Sequence, residues 1–278
     1  MKKTLAFCCA ALLGSPAMAA LVVDGNLADW GVTRTGSASN WTPGVGIQSR
    51  VEDQTGGQST YLNPGYGGQA YDAEAMYTTF QGGKLYLALA TGHNPLTVNN
   101  PAGNSYGAGD FAFDFGKNGS FDLGINIKYA TNANGGREAF GVQGGVYQAP
   151  TWARGLWNAA GGQVAPINGD ANHPTSMTAG TLIGNATLAF TTLGQNNYGQ
   201  YRNDLHYFYE LSVDANLLRA AGWDGHSPFS VHWTQNCAND SIWVDTPTYV
   251  PEPMSLALLP LGLLGIAATR RKKKAATV

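Results

Sequence analysis

Along residues 110 to 127, apolar and polar side chains alternate with a period of two, the spacing that sends successive residues to opposite faces of a strand. Phe111, Phe113 and Phe115 fall on one side and Asp110, Ala112 and Asp114 on the other; Phe121, Leu123, Ile125 and Ile127 repeat the apolar side after Gly116 to Ser120. A three-residue loop of Lys117, Asn118 and Gly119, with the glycine left-handed, joins the two runs and sets Phe115 opposite Phe121. A second hairpin is predicted from AYDAEAMYTTFQGGKLYLALATGH, turning at Gly82-Gly83. Pairing Gln81 with Lys84 places Phe80, Thr78 and Met76 opposite Leu85, Leu87 and Leu89, an apolar face. Between residues 21 and 250, helical spacing with an N-cap is confined to Asp214–Ala221. The pattern predicts an all-β fold, an antiparallel β-sandwich.

The two ends depart from this pattern. Residues 1–19 have a basic start at Lys2 and Lys3, an apolar stretch from Leu5 to Leu13, and small residues at Ala17 and Ala19, the layout of a secretory signal cleaved before Ala20. Residues 254–269 are uncharged and would extend about 24 Å as a helix, slightly less than a bilayer's hydrocarbon core. Pro260, Gly262 and Gly265 suit a membrane helix better than a soluble one. Arg270, Arg271, Lys272, Lys273 and Lys274 then form a cytoplasmic stop. A single transmembrane helix is expected there.

Pro251-Glu252-Pro253, the short apolar run and the basic tail, in that order behind an N-terminal export signal, resemble the PEP-CTERM sorting signal of Gram-negative exosortase substrates. The resemblance covers residues 250–278. It implies a transient inner-membrane anchor, recognition by an exosortase, cleavage near the Pro-Glu-Pro, and release to the cell surface or extracellular matrix.

Removing both ends changes the electrostatic picture. Residues 21–250 hold nine Lys plus Arg against seventeen Asp plus Glu, a net charge of −8, whereas the whole chain carries only −2. Such a surface is a poor partner for nucleic acid, which needs clustered cations, and a reasonable one for a divalent cation. Cys8 and Cys9 leave with the signal, so Cys237 is expected as a free buried thiol with no partner for an intramolecular disulfide.

The predicted registers bring acids together. The pairing that stacks Phe on Phe also places Asp114 opposite Asp122 and Asp110 opposite Asn126 on the polar face. Facing carboxylates repel, and a hard cation with oxygen ligands, Ca2+ in an extracellular setting, would compensate them. The alternative is a solvated face screened by water, Lys117 and Lys128; the set has neither the spacing nor the terminal glutamate of an EF-hand. In the second hairpin the register carries Glu74 opposite Thr91 and Asp72 opposite His93, on the side that faces the core. Those carboxylates need either a cation or a hydrogen-bonded rim.

The body opens with LVVDGNLADWG, read as a strand running into Asp24-Gly25-Asn26 and then Asp29-Trp30. This resembles the DGxLxDW start of family 9 carbohydrate-binding modules and related DOMON-like sandwiches. YDAEAMY, GKLYLALATG, GDFAFDFG and HWTQNCAND are similar to segments of PEP-CTERM surface proteins with that kind of domain. The resemblance implies a jelly-roll or carbohydrate-binding-module-like sandwich over residues 20–249.

No G-x-S-x-G, H-E-x-x-H or G-x-x-x-x-G-K-[ST] occurs, and the five histidines are scattered singly. His232 stands out because Cys237, Asn239 and Asp240 follow it. Trp41, Trp152 and Trp157 lie in glycine- and asparagine-rich stretches, where indoles can either stack on sugar rings or bury themselves. Trp30 and Trp233 fall in apolar patterns and are expected in the core. The expected role is that of a non-enzymatic binder or component of the extracellular polysaccharide matrix. A purely structural adhesion protein, or a glycoside hydrolase using paired carboxylates, is the alternative.

Overall fold

A computed structural model describes residues 20–35, 41–53, 65–100, 103–127, 140–154 and 173–250. The signal segment 1–19, the sorting segment 251–278, Lys128 and Trp157 lie outside these residues. Among the described residues no helix is long and apolar enough to cross a membrane.

The fold is all-β, with two antiparallel sheets and, among the described residues, one short α-helix and a 3-10 turn at Gln69–Tyr71. In chain order the elements are β1 (Gln48–Val51), β2 (Ala73–Gln81), β3 (Lys84–Thr91), β4 (Phe111–Asp114), β5 (Leu123–Ile125) and β6 (Gly145–Arg154). They continue with β7 (Pro174–Asn185), β8 (Thr187–Phe190), β9 (Tyr207–Asp214), α1 (Ala215–Ala220), β10 (Ser230–Thr234) and β11 (Ser241–Asp245). One sheet runs β1-β2-β3-β9-β8, the other β11-β10-β4-β5-β6-β7. Met76, Leu87 and Leu89 of the first sheet and Phe113, Ile125 and Trp233 of the second share one buried cluster, as facing sheets require.

The first sheet is buried on its other face too. Ala75, Tyr77, Ala88 and Phe208 pack there against Leu27, Trp30 and Trp41 from the preceding chain. A strand covered on both sides reads as a nearly continuous apolar run, which accounts for the sequence Leu85-Tyr86-Leu87-Ala88-Leu89-Ala90 of β3. The helix starts where its cap predicts, with Asp214 Oδ1 accepting from Asn216 N–H at 2.7 Å.

The β2–β3 register matches the pattern from Gln81↔Lys84 to Met76↔Leu89, and then a bulge between Ala73 and Ala75 shifts it. Ala73, not Glu74, stands opposite Thr91 and enters the inter-sheet core. The Asp72 carbonyl accepts from Gly92 N–H at 2.9 Å, so its partner across the strands is Gly92 and not His93. One extra residue reverses the face of everything beyond it.

The β4–β5 register also agrees, with Phe113 opposite Leu123 and Phe111 opposite Ile125, but the ladder ends early. Phe115 N–H donates to the Asp122 carboxylate at 2.9 Å, which takes the position of the next rung. Phe121 therefore does not face Phe115. It packs with its ring centroid 6.2 Å from Trp152 and 5.9 Å from His232, while Phe115 packs on Phe229.

Residues 20–23 form no strand. Leu21 is buried nonetheless, and its N–H donates to Gln81 Oε1 at 3.0 Å. The following Asp24-Gly25-Asn26 turn is clasped by Glu210 of β9: Oε2 accepts the amides of Asp24 (3.1 Å), Gly25 (2.5 Å) and Asn26 (3.0 Å), and Oε1 accepts the Trp30 indole N–H at 2.6 Å. Trp30 and Trp233 are fully buried, as their patterns predict.

Candidate functional site

The β2 bulge places acids at one end of the two sheets. Glu74 turns toward the outer cluster, where Oε1 lies 3.0 Å from His206 Nε2 and accepts from Gln69 Nε2 at 3.0 Å. Glu52 and Asp53 follow β1, and their amides donate to the Glu74 carbonyl. From the second sheet comes Asp240, in the turn between β10 and β11, with no exposed surface. Its Oδ2 accepts from Ala73 N–H at 2.8 Å and Gly65 N–H at 3.2 Å, and its Oδ1 from Ser241 N–H at 2.7 Å.

Asp72 sits beside it within hydrogen-bonding reach and is also fully buried. Neither of its oxygens receives a hydrogen bond from any N–H or O–H donor. Burial first, then the Glu74 and Asp240 charges, push the Asp72 carboxyl up to about 10. Burial pushes Asp240 up to about 8 against the pull of its amide donors, and Glu52 up to about 6 against Arg50. Glu74 is raised by burial and drawn back by His206 and Gln69. Arg50 bonds Glu52 at 3.2 Å and lies over the Trp243 ring, so its charge is committed at the edge of the group.

An open cleft of about 400 Å³ adjoins this rim. Tyr71, Tyr207 and Leu205 give it apolar surface, and Gln69, Asn94 and Asn203 give it amides. Gln69 belongs to both features, since the same Nε2 also donates to the Leu205 carbonyl at 3.1 Å. His93 closes the cleft floor: Nε2 donates to the Tyr106 carbonyl at 2.8 Å, and burial holds the ring down to about 4, so it is neutral. Asp204 is the single carboxylate among the lining residues.

The other acids singled out in the sequence have backbone partners. Asp114 Oδ1 and Oδ2 accept from Asn118 and Gly119 N–H at 3.1 and 2.7 Å, closing the loop. Asp110 is fully buried and ties β5 to β7 by accepting from Ile127 N–H at 3.1 Å and Met177 N–H at 2.9 Å. Asn126 donates to the Phe140 carbonyl at 2.7 Å. Lys117, expected to screen Asp114 and Asp122, pairs instead with Asp245 at 2.7 Å. Among the described residues no three His, Cys, Asp or Glu side chains are gathered as a metal cage.

The tryptophans also separate. Trp41 is not a loop residue open to a ligand: it has no exposed surface and stacks on Tyr198 at 5.5 Å, edge-on to His206 and Phe208. Trp152 is half-buried over the outer face of β5, where a Cβ on Gly124 would come within 2.9 Å of its ring. His232 pairs with His173, Nε2 to Nδ1 at 2.7 Å, and burial holds it well below its ordinary value. Cys237 is free and buried, its thiol pushed up to about 12 by burial, which leaves the sulfur protonated.

Asp240 and the cleft residues were not singled out as a site by periodicity. The available signal was HWTQNCAND, where an acid follows a strand at a turn, but its partner Asp72 lies far away in sequence. No family model matches this chain, and no curated protein or solved structure is detectably similar to it.

Proposed function

We propose that this chain is exported, held transiently in the inner membrane by residues 254–269, processed by an exosortase at Pro251-Glu252-Pro253, and delivered to the cell surface or extracellular matrix of a Gram-negative bacterium. The delivered part, residues 20–249, is a jelly-roll-like sandwich that binds extracellular polysaccharide without chemical turnover, in a calcium-dependent manner. The cleft beside the acidic rim carries this reading. Its volume of about 400 Å³ suits a small ligand, and tyrosine faces beside side-chain amides match the apolar faces and hydroxyls of a sugar. Glycoside hydrolysis by the usual route uses two carboxyl groups flanking one bond, and among the described residues lining the cleft Asp204 is the single carboxylate.

Two measurements test it. On a glycan array the full-length protein in detergent is expected to bind a polysaccharide class saturably, and Tyr71→Ala to weaken that binding about tenfold, or about 1.4 kcal/mol. Release of soluble sugar, or unchanged binding by the variant, overturns the binding reading. In cell fractionation the protein is expected at the surface or in the medium of wild-type cells and in the inner membrane of exosortase-deficient ones. A periplasmic pool in both overturns the sorting reading.

A further inference from the structure

A buried carboxylate without a donor or a counter-charge is unstable in a folded protein, and it is held only where a proton or a cation offsets it. Asp72 is such a group. It has no exposed surface, neither oxygen accepts a hydrogen bond from a donor group, and a second fully buried carboxylate, Asp240, lies within hydrogen-bonding reach.

The surroundings repeat the deficit in oxygen atoms. Gln235 is fully buried, and its Nε2 donates to the Tyr71 carbonyl at 2.8 Å, next to Asp72, while its Oε1 has no donor. The Ser241 hydroxyl, adjoining Asp240, is buried and unpartnered, and so are Glu74 Oε2 and Glu52 Oε2. Among the described residues no ion pair reaches Asp72 or Asp240, whereas Glu74 and Glu52 are met on their other oxygens by His206 at 3.0 Å and Arg50 at 3.2 Å. Arg50 is bound to Glu52, Lys117 to Asp245, and Lys84 opens β3 at the far end of the hairpin.

We infer that Asp72 and Asp240 hold one divalent cation, calcium, with Gln235 Oε1 and the Ser241 hydroxyl as neutral oxygen ligands. The donor set is all oxygen, which selects a hard ion over zinc or copper. Two carboxylates neutralise a doubly charged ion, so the site needs no third acid. A larger ion that accepts neutral oxygens in irregular geometry fits better than magnesium, which demands a near-octahedral shell and keeps its waters. The choice of calcium as the ion present rests on the export reading above. Its role follows from position: it would join the start of β2 in one sheet to the β10–β11 turn of the other, and fix the wall that Tyr71 and Gln69 give to the cleft.

The test uses the full-length protein in detergent with calcium chloride as the probe. Affinity is expected on the order of 10⁻⁴ M, in the range of extracellular modules with few charged ligands. At about tenfold excess over that value, the melting midpoint should rise about 3–6 °C above that in EDTA. Asp72→Asn should abolish the calcium heat and the shift while melting in EDTA at or above the wild-type midpoint, because a neutral amide ends the cost of burying an ionisable carboxyl. Asp114→Asn should keep the full calcium response. No heat and no shift in the wild-type protein up to 10 mM calcium, about a hundredfold excess over the expected constant, would overturn the site. So would a shift retained in Asp72→Asn. Because these readouts contain no glycan, a calcium response without array binding leaves the cation site standing and removes only the glycan reading; array binding without a calcium response does the reverse.

Discussion

The β4–β5 hairpin and the rim at the start of β2 pose one problem in the sequence, acids brought together by strand register, and the fold resolves it in opposite ways. At the hairpin, Asp114 and Asp122 turn onto amides of the loop between the strands and of the last rung. At the rim, Asp240 takes three amides and Asp72 takes none. The difference lies in where unpaired N–H groups are available. Loops, strand ends and irregular rungs present them, as the Ala73 and Ser241 amides on Asp240 show, whereas amides inside a regular ladder are committed to a neighbouring strand. Facing acids at a turn are therefore weak grounds for a cation, while a buried acid that the backbone leaves unanswered is a stronger one.

The contrast can be broken at the satisfied carboxylates, in order of expected effect. Asp110→Ala orphans the buried amides of Ile127 and Met177 and should lower unfolding stability by about 4 kcal/mol in urea titrations, with no change in calcium response. A loss under about 1 kcal/mol would mean that these amides are no more dependent on their carboxylate than Asp72 is on a donor.

Glu210 gives the next effect. It is satisfied by four N–H donors, yet burial still pushes it up to about 7. A folded value above the unfolded one, about 4.3, means that the folded state binds the extra proton between them. Its contribution is complete below about pH 4.3 and is lost as pH rises toward 7. Glu210→Gln should cost about 2 kcal/mol and, in melts, make the decline across pH 4 to 8 shallower by the Glu210 share, leaving the part that the raised Glu52, Asp72 and Asp240 carboxyls contribute. A variant with the wild-type pH profile would show that the decline arises elsewhere.

Asp114→Ala should be mildest, about 1 kcal/mol, because the loop it closes is near solvent and water can replace its oxygens. Its sign is opposite to that expected of Asp72→Asn in EDTA. Destabilisation by both substitutions would erase the comparison.

What could be read in the sequence was what short segments decide among themselves. The Gly82-Gly83 turn and the apolar period of two set the β2–β3 register as far as Ala75, and the same logic set Phe113 against Leu123. Asp214 as a cap and the burial of Trp30, Trp233 and Cys237 were legible for the same reason. The bulge at Glu74 was not, because the alternating pattern carries no sign of it; nor was the burial of Trp41, whose glycine- and asparagine-rich surroundings resemble a loop until Tyr198, His206 and Phe208 close over it.

The candidate site belongs to the second kind of information. Ala73 meets Asp240 across 167 residues, Gly25 meets Glu210 across 185, and Gln69 meets the Leu205 carbonyl across 136. By itself the sequence determined strands, turns and an acidic body, because hydrophobic period and turn chemistry act over a few residues. Tertiary structure alone decided which acids find amides and which are left facing one another, because that depends on which backbone groups two sheets bring to the same place.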